Sequence, residues 1–171
     1  MKRIADFFRL TTLAALLLSA VPALAQTAAP SAPAQTAPRP TPAPWFADLA
    51  AAQAQAKAAR RPLLAVFSGS DWCKPCVQFE QEVFAQPAFA AYAQGRLVLA
   101  HFDYPRQPQN QPPAAQRALN KTAGAQLNPG GDFPLAVLVS AEGLVLARSG
   151  YVAGGPVAFA AYLRAVLGEG F

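Results

Sequence analysis

Ser68-Gly69-Ser70-Asp71-Trp72-Cys73-Lys74-Pro75-Cys76 holds the only two cysteines of the 171-residue chain, at a turn between an apolar run and a helix-like run. With two residues between them, the thiols can close a small disulfide ring or share one proton. A thiol in the first turn of a helix faces unpaired backbone N–H groups and the positive end of the helix dipole, which favours its thiolate form. Cys73 occupies that place, Lys74 adds a positive charge beside it, and Pro75, which has no N–H to donate, suits an opening turn. Moving a free thiol from about 8.5 towards neutrality raises its thiolate fraction at pH 7 from a few per cent to about half, for roughly 2 kcal/mol. The spacing predicts a nucleophile at Cys73 and a resolving thiol at Cys76.

Around this turn the pattern alternates between short apolar runs and helical periodicity. Leu63-Leu64-Ala65-Val66-Phe67 is too short for a helix and too apolar for a half-exposed strand, so it reads as a buried central strand that delivers the chain to the cysteines. Before it, Trp45, Leu49, Ala52, Ala56 and Ala59 recur at helical spacing, which predicts an amphipathic helix from Trp45 to Ala59. After it, Val77, Phe79, Val83 and Phe84 predict a helix, Pro87 opens another that Gly95 closes, and Leu97 to Phe102 is a second strand. Strand, helical crossover and strand make a right-handed βαβ unit with parallel strands.

Tyr104 to Pro113 reads as loop and Ala114 to Thr122 as a modest helix. Leu135-Val139, a turn at Ala141-Glu142-Gly143, and Leu144-Ala147 form an antiparallel hairpin, and Pro156 opens a last helix that Gly168 closes. The result is an α/β chain with one mixed sheet, helices on both faces and no strand before the first helix. His101 reads as a packed or edge histidine, and Asp103 as serving the turn that follows it.

Other chemistry for the cysteine pair is weighed on ligand number. Zinc usually takes four ligands, and one pair with a single histidine falls short. A soft-metal site holding Cu(I) on the two thiolates is an alternative, as is a redox-inert binding module. As a staple the pair is weak, because it closes almost no chain.

The Trp72-Cys73-Lys74-Pro75-Cys76 core, the strand-like run before it and the Phe133-Pro134 pair before a later strand resemble the thioredoxin superfamily. The approach Phe67 to Cys73 and the following Glu82-Val83-Phe84 resemble exported bacterial thioredoxin-like proteins, and the resemblance covers about residues 45 to 168. It implies a thioredoxin-like fold with a four-stranded mixed sheet in the order 2-1-3-4, a cis Phe133-Pro134 peptide, and thiol–disulfide exchange with protein or peptide substrates. Trp72, Lys74, Pro75, Phe133 and Pro134 then support the thiols or bind substrate. The motif leans towards a reductase. No cofactor or metal is implied.

One position departs from the pattern. Many thioredoxins carry a buried carboxylate six positions before the first cysteine, where it helps move the resolving thiol's proton; here Phe67 stands there. Glu80, one helical turn after Cys76, is the leading replacement and Asp71 a second. The long segment from Tyr104 to Asp132 exceeds a minimal fold, either shaping partner choice or forming a tolerated insertion.

The amino-terminal end reads as an export signal. Lys2, Arg3 and Arg9 precede an apolar run from Leu13 to Ala23, and Ala23-Leu24-Ala25 is a small-x-small cleavage pattern, so residues 1–25 form a signal peptide. Residues 26–44 hold six prolines and one charge, a tether leaning to polyproline II, and residues 45–171 form the domain. Cleavage leaves 11 basic and 8 acidic side chains, a balance of +3 with no nucleic-acid stripe. The expectation is a periplasmic or secreted monomer with no stable membrane insertion, working with protein disulfide or dithiol substrates and an electron-transfer partner.

Overall fold

A strand buried along its whole length, β2 (Leu63–Ser68), forms the centre of the sheet and ends five residues before Cys73. The structure, a computed structural model, describes residues 44–169. The expected signal peptide, and the tether apart from Pro44, lie outside the described residues. In chain order the elements are β1 (Trp45–Phe46), α1 (Leu49–Ala59), β2, α2 (Lys74–Phe79) running into a π turn (Glu80–Phe84), and α3 (Pro87–Ala93). There follow β3 (Val98–Asp103), a 3-10 turn (Pro108–Asn110), α4 (Ala114–Leu127), β4 (Leu135–Val139), β5 (Val145–Ser149) and α5 (Gly155–Leu167).

β2 pairs parallel with β3 in the register Leu63 to Val98 through Ser68 to Asp103, and antiparallel with β4, where Phe67 faces Leu135. Strand alternation then sorts the side chains of β2 into two cores. Leu64 and Val66 join Phe79, Phe84, Phe89 and Phe159 under α2, α3 and α5. Leu63, Ala65 and Phe67 join Leu49, Ala52, Ala123 and Leu127 under α1 and α4.

The sheet has five strands in the order β1-β3-β2-β4-β5, which corrects the expected four. The four longer strands keep the expected order, and the addition is Trp45–Phe46, paired parallel to Leu99 and Ala100. These two residues precede the first helix instead of opening it. Trp45 packs its ring near Phe84, Phe89 and His101, with centroids at 5.6, 6.4 and 6.0 Å, which holds the backbone extended against β3. The helix starts where Asp48 accepts a hydrogen bond from Ala50 N at 2.9 Å, an N-cap worth about 1 kcal/mol.

Two helices also differ from expectation. After α2 the chain widens into a π turn, with Ala85 N donating to Glu80 O at 2.8 Å, and this brings Phe79 and Phe84 to 4.4 Å between ring centroids. α4 runs beyond Thr122 because Ala123 and Leu127 are buried beneath it. Gly124 does not break it, and its lack of a side chain has a use: a Cβ there would lie 2.8 Å from the Tyr104 hydroxyl oxygen.

Phe159 anchors α5 by packing on Phe79, Phe84 and Phe89 at 5.1, 5.7 and 6.1 Å, with no exposed surface. Phe159→Ala is expected to lower unfolding stability by about 3–5 kcal/mol in chemical denaturation, the usual cost of an emptied aromatic core position. A loss below about 1 kcal/mol would show that α5 is not packed on this core.

Candidate active site

Cys73 is the N-cap of α2, with an extended backbone, and its Sγ accepts a hydrogen bond from Cys76 N at 3.3 Å. Pro75 sits in the opening turn, where a missing N–H costs nothing. The two cysteines are joined by a disulfide across a Cα separation of 5.2 Å, and both are nearly buried, Cys73 the more exposed at 5% against 2%. The sulfur expected to be the nucleophile therefore lies at the helix mouth, where the Cys76 N–H reaches it, with the exposed Lys74 next to it.

The loop between β2 and α2 is held in place by residues from β3 and the segment after it. Trp72 lies flat over Gly69, where a Cβ would meet its ring at 2.3 Å, so only glycine fits there. The Trp72 indole N–H donates to Tyr104 O at 2.7 Å, and the Arg106 guanidinium stacks on the ring with Cζ 3.6 Å from its centroid. Asp71 accepts from Arg106 N at 2.8 Å, Gln107 N at 2.9 Å and Asn110 Nδ2 at 3.0 Å. Burial acts to raise its pKa, but these donors outweigh that and hold the carboxyl below its usual range.

Asp103 was expected to serve the turn after it. Instead its carboxylate reaches back to Ser70, accepting from the backbone N at 2.8 Å and the hydroxyl at 2.6 Å. Because β3 lies beside β2 with Ser68 opposite Asp103, the end of one strand is well placed to tie the loop leaving the other.

Phe133 and Pro134 come to the same place from the far side of the sequence. The Phe133–Pro134 peptide is cis, and the β2–β4 ladder begins at the next residue, Leu135 opposite Phe67. Phe133 packs edge-on to Trp72 and to Tyr104, each with centroids 5.3 Å apart. Tyr104 in turn donates its hydroxyl to Asn120 O, and burial pushes its pKa up to about 12. A shallow cleft of about 390 Å³ opens beside Cys73, bordered by Trp72, Lys74, Val77, Gln78 and Gln81.

On the other flank Tyr151 donates its hydroxyl to Glu82, and Gln78 Nε2 bridges them at 2.9 Å to Glu82 and 3.2 Å to Tyr151. The hydrogen bonds from Tyr151 and then Gln78 hold the Glu82 carboxyl below its usual range, and the same contact raises the phenol.

Five of the residues singled out from sequence, Trp72 to Cys76, thus form one contiguous site, and Phe133 and Pro134 join it through the sheet. Glu80 is not among the residues that line the cleft beside Cys73; it is exposed, one turn along at the start of the π turn. Phe67, where a buried acid might have stood, has no exposed surface and packs on Phe102 at 5.3 Å. Sequence reasoning missed Tyr104 and Arg106, which lie in a proline- and glutamine-rich stretch without periodicity. His101 sits at the sheet edge against Trp45, its Nε2 buried without a hydrogen-bond partner. Among the described residues no group of three or more His, Cys, Asp or Glu side chains could hold a metal ion.

Residues 44–141 match a family model described as thioredoxin-like. Over 107 residues the chain is 33% identical to the disulfide bond reductase DsbH of Chlamydia pneumoniae, a match that covers 63% of this chain and 63% of that protein. The chain thus spans less than two thirds of that relative's length. The solved structure of a DsbH oxidoreductase has a TM-score of 0.69 and 29% identity, covering 82% of this chain and 95% of the other. A thioredoxin from Thermus thermophilus, at TM-score 0.51 and 20% identity over 74% of this chain and 88% of its own, shares the fold.

Gly69→Ala is expected to displace the Trp72 ring and shift its fluorescence in the folded protein; an unchanged spectrum would mean that the ring does not rest there. The depressed carboxyls of Asp71 and Glu82 contribute stability that is complete above their unfolded values, about 4, and is lost as pH falls through their lower folded values. Asp71→Asn is accordingly expected to flatten the acid side of the stability–pH curve measured by denaturant unfolding. An identical curve would remove Asp71 from this account.

Proposed function

The chain belongs to the thioredoxin-like family, and on that premise we propose that it is an exported thiol–disulfide oxidoreductase acting on protein or peptide disulfides. The observation that carries this reading is the cysteine pair at the mouth of α2, with Cys73 capping the helix and the other sulfur buried behind it. The reduced helix mouth stabilises negative charge on the Cys73 sulfur, because the Cys76 N–H points at it and the positive end of the helix dipole lies beneath it.

In the reductive direction the Cys73 thiolate attacks one sulfur of a substrate disulfide. That S–S bond breaks, a mixed disulfide forms, and the other substrate sulfur leaves as a thiolate that takes up a proton. Cys76 then loses its proton and attacks the Cys73 sulfur, releasing the second substrate thiol and leaving the intramolecular disulfide. Two electrons have passed to the substrate, and a dithiol-bearing partner protein must return them for another cycle. The similarity to the Chlamydia pneumoniae disulfide bond reductase supports the reductive direction.

The substrate chain lies between Trp72 and the approach to β4. Phe133 and Pro134 precede the first ladder pair of β4, so their backbone groups are available to pair with an extended segment. Trp72, fixed over Gly69, offers that segment an apolar wall. With Phe67 in place of a buried acid, Glu80 is the proton acceptor for Cys76, reached through water from its exposed position one turn along. Residues 1–25 act as a cleaved signal peptide and 26–44 as a tether, placing residues 45–171 in the periplasm or outside the cell as a monomer.

Cys73→Ser is expected to abolish catalysis of insulin reduction by dithiothreitol, whereas Cys76→Ser should accumulate a mixed disulfide visible by mass spectrometry. If wild type gives no acceleration over dithiothreitol alone, while a Cu(I) chelator competition shows tight binding, the protein is a metal carrier instead. Glu80→Gln should slow turnover severalfold without changing the unfolding midpoint; an unaltered pH–rate profile would exclude Glu80 from proton transfer.

A further inference from the structure

Asp71 lines the cysteine cleft, Asp103 and Glu82 are hydrogen-bonded to Ser70 and Gln78 that line it, and each of these three carboxylates is already engaged by the protein. Asp71 accepts three hydrogen bonds from Arg106, Gln107 and Asn110; Asp103 accepts two from Ser70; Glu82 is held by Tyr151 and Gln78. The cations are arranged differently. Lys74, next to Cys73, is exposed, and Arg106 is exposed with its guanidinium stacked on Trp72. Among the described residues neither pairs with a carboxylate within 4.0 Å. The other residues lining the cleft, Ser70, Val77, Gln78 and Gln81, carry no charge.

We propose that this rim selects substrate disulfides flanked by acidic residues, with Arg106 and Lys74 as the recognition groups. The inference rests on the exchange reading above and adds a substrate class to it. The Trp72 platform at 3.6 Å and the Asp71 clamp on its own backbone N–H restrict the guanidinium before any substrate arrives. Its planar edge is then left to meet a carboxylate in two parallel hydrogen bonds, with less side-chain entropy lost than for a free arginine. Trp72 stands next to Cys73 in sequence and borders the same cleft, so an acidic side chain within one or two residues of the attacked cysteine falls on this rim. The same fixed charges attract such a segment during encounter.

The inference assigns a function to the segment after β3. Its start, from Tyr104 to Asn110, is joined to the cysteine loop by five contacts: Tyr104 O, the Arg106 stack and the three donors to Asp71. It therefore carries a charged recognition group to the reacting sulfur.

The test uses three cyclic disulfide peptides that differ only in the residues beside one cysteine, which are Asp, Ala or Lys. Each rate of reduction by the reduced protein is divided by the rate with dithiothreitol alone, which removes the intrinsic effect of flanking charge on the disulfide. At low salt the normalised kcat/KM should be about fivefold higher for the Asp peptide than for the Ala peptide, and lower still for the Lys peptide. About 0.5 M salt should bring the three together, since screening shortens the reach of exposed charges. Arg106→Gln should cut the Asp-to-Ala ratio to below about two, and Arg106→Glu should invert the order, with circular dichroism melts confirming that both variants fold. Equal normalised rates in wild type, or a ratio unaffected by either variant, would overturn the acidic-substrate inference while leaving exchange intact. No reaction with any of the three peptides would overturn the exchange reading, and this inference with it.

Discussion

The hydrogen bond from Cys76 N to Cys73 Sγ marks the constraint on which the rest of the site depends: a sulfur must be kept at the mouth of α2. Helix N-termini leave backbone donors without partners, and here one of them is turned on a cysteine. Six helical residues, continued by a π turn, would be a weak scaffold alone. Their position is fixed from outside, by Phe79 and Phe84 packed into the core beneath α5. Packing energy thus holds the helix still enough for its end to act on one atom.

The approach to that helix is constrained as strongly as the helix itself. β2 is buried from Leu63 to Ser68 and paired on both sides, so the chain leaves the sheet at one fixed point. Beyond it, Gly69 gives space to Trp72, Asp103 holds Ser70 and Asp71 holds the segment after β3. The charged side chains around the cleft are divided between two tasks. The carboxylates fasten loops, and the cations face the solvent.

Most of the fold could be read from residues because burial leaves a pattern. Leu135-Val139 was legible to the residue, and the run through Leu63 to Phe67 fell one short of the observed strand, since both strands are apolar on both faces. Trp45–Phe46 was not legible: two residues have no period, and their strand conformation comes from pairing with Leu99 and Ala100. The π turn was hidden for a similar reason, because Phe79 and Phe84 fit a broad helical face and only their packing shows the widened register. In the site, the cysteine motif and the Phe133-Pro134 pair were visible as motifs. Asp71 and Asp103 were visible as charges, but their partners lie 33 to 39 positions away, which local sequence cannot show. Arg106 had no local signal at all; its place on Trp72 follows from the fold.

The most direct test of the central claim is the titration of Cys73 itself. In the reduced protein, with Cys76 replaced by alanine, the rate of iodoacetamide alkylation measured across a pH series gives the thiolate fraction of the remaining sulfur. The account predicts a midpoint clearly below that of a free cysteine, moving upward when Lys74→Gln removes the neighbouring charge. A midpoint equal to that of free cysteine would mean that the helix mouth does not activate this sulfur, and the proposed chemistry would lose its physical basis.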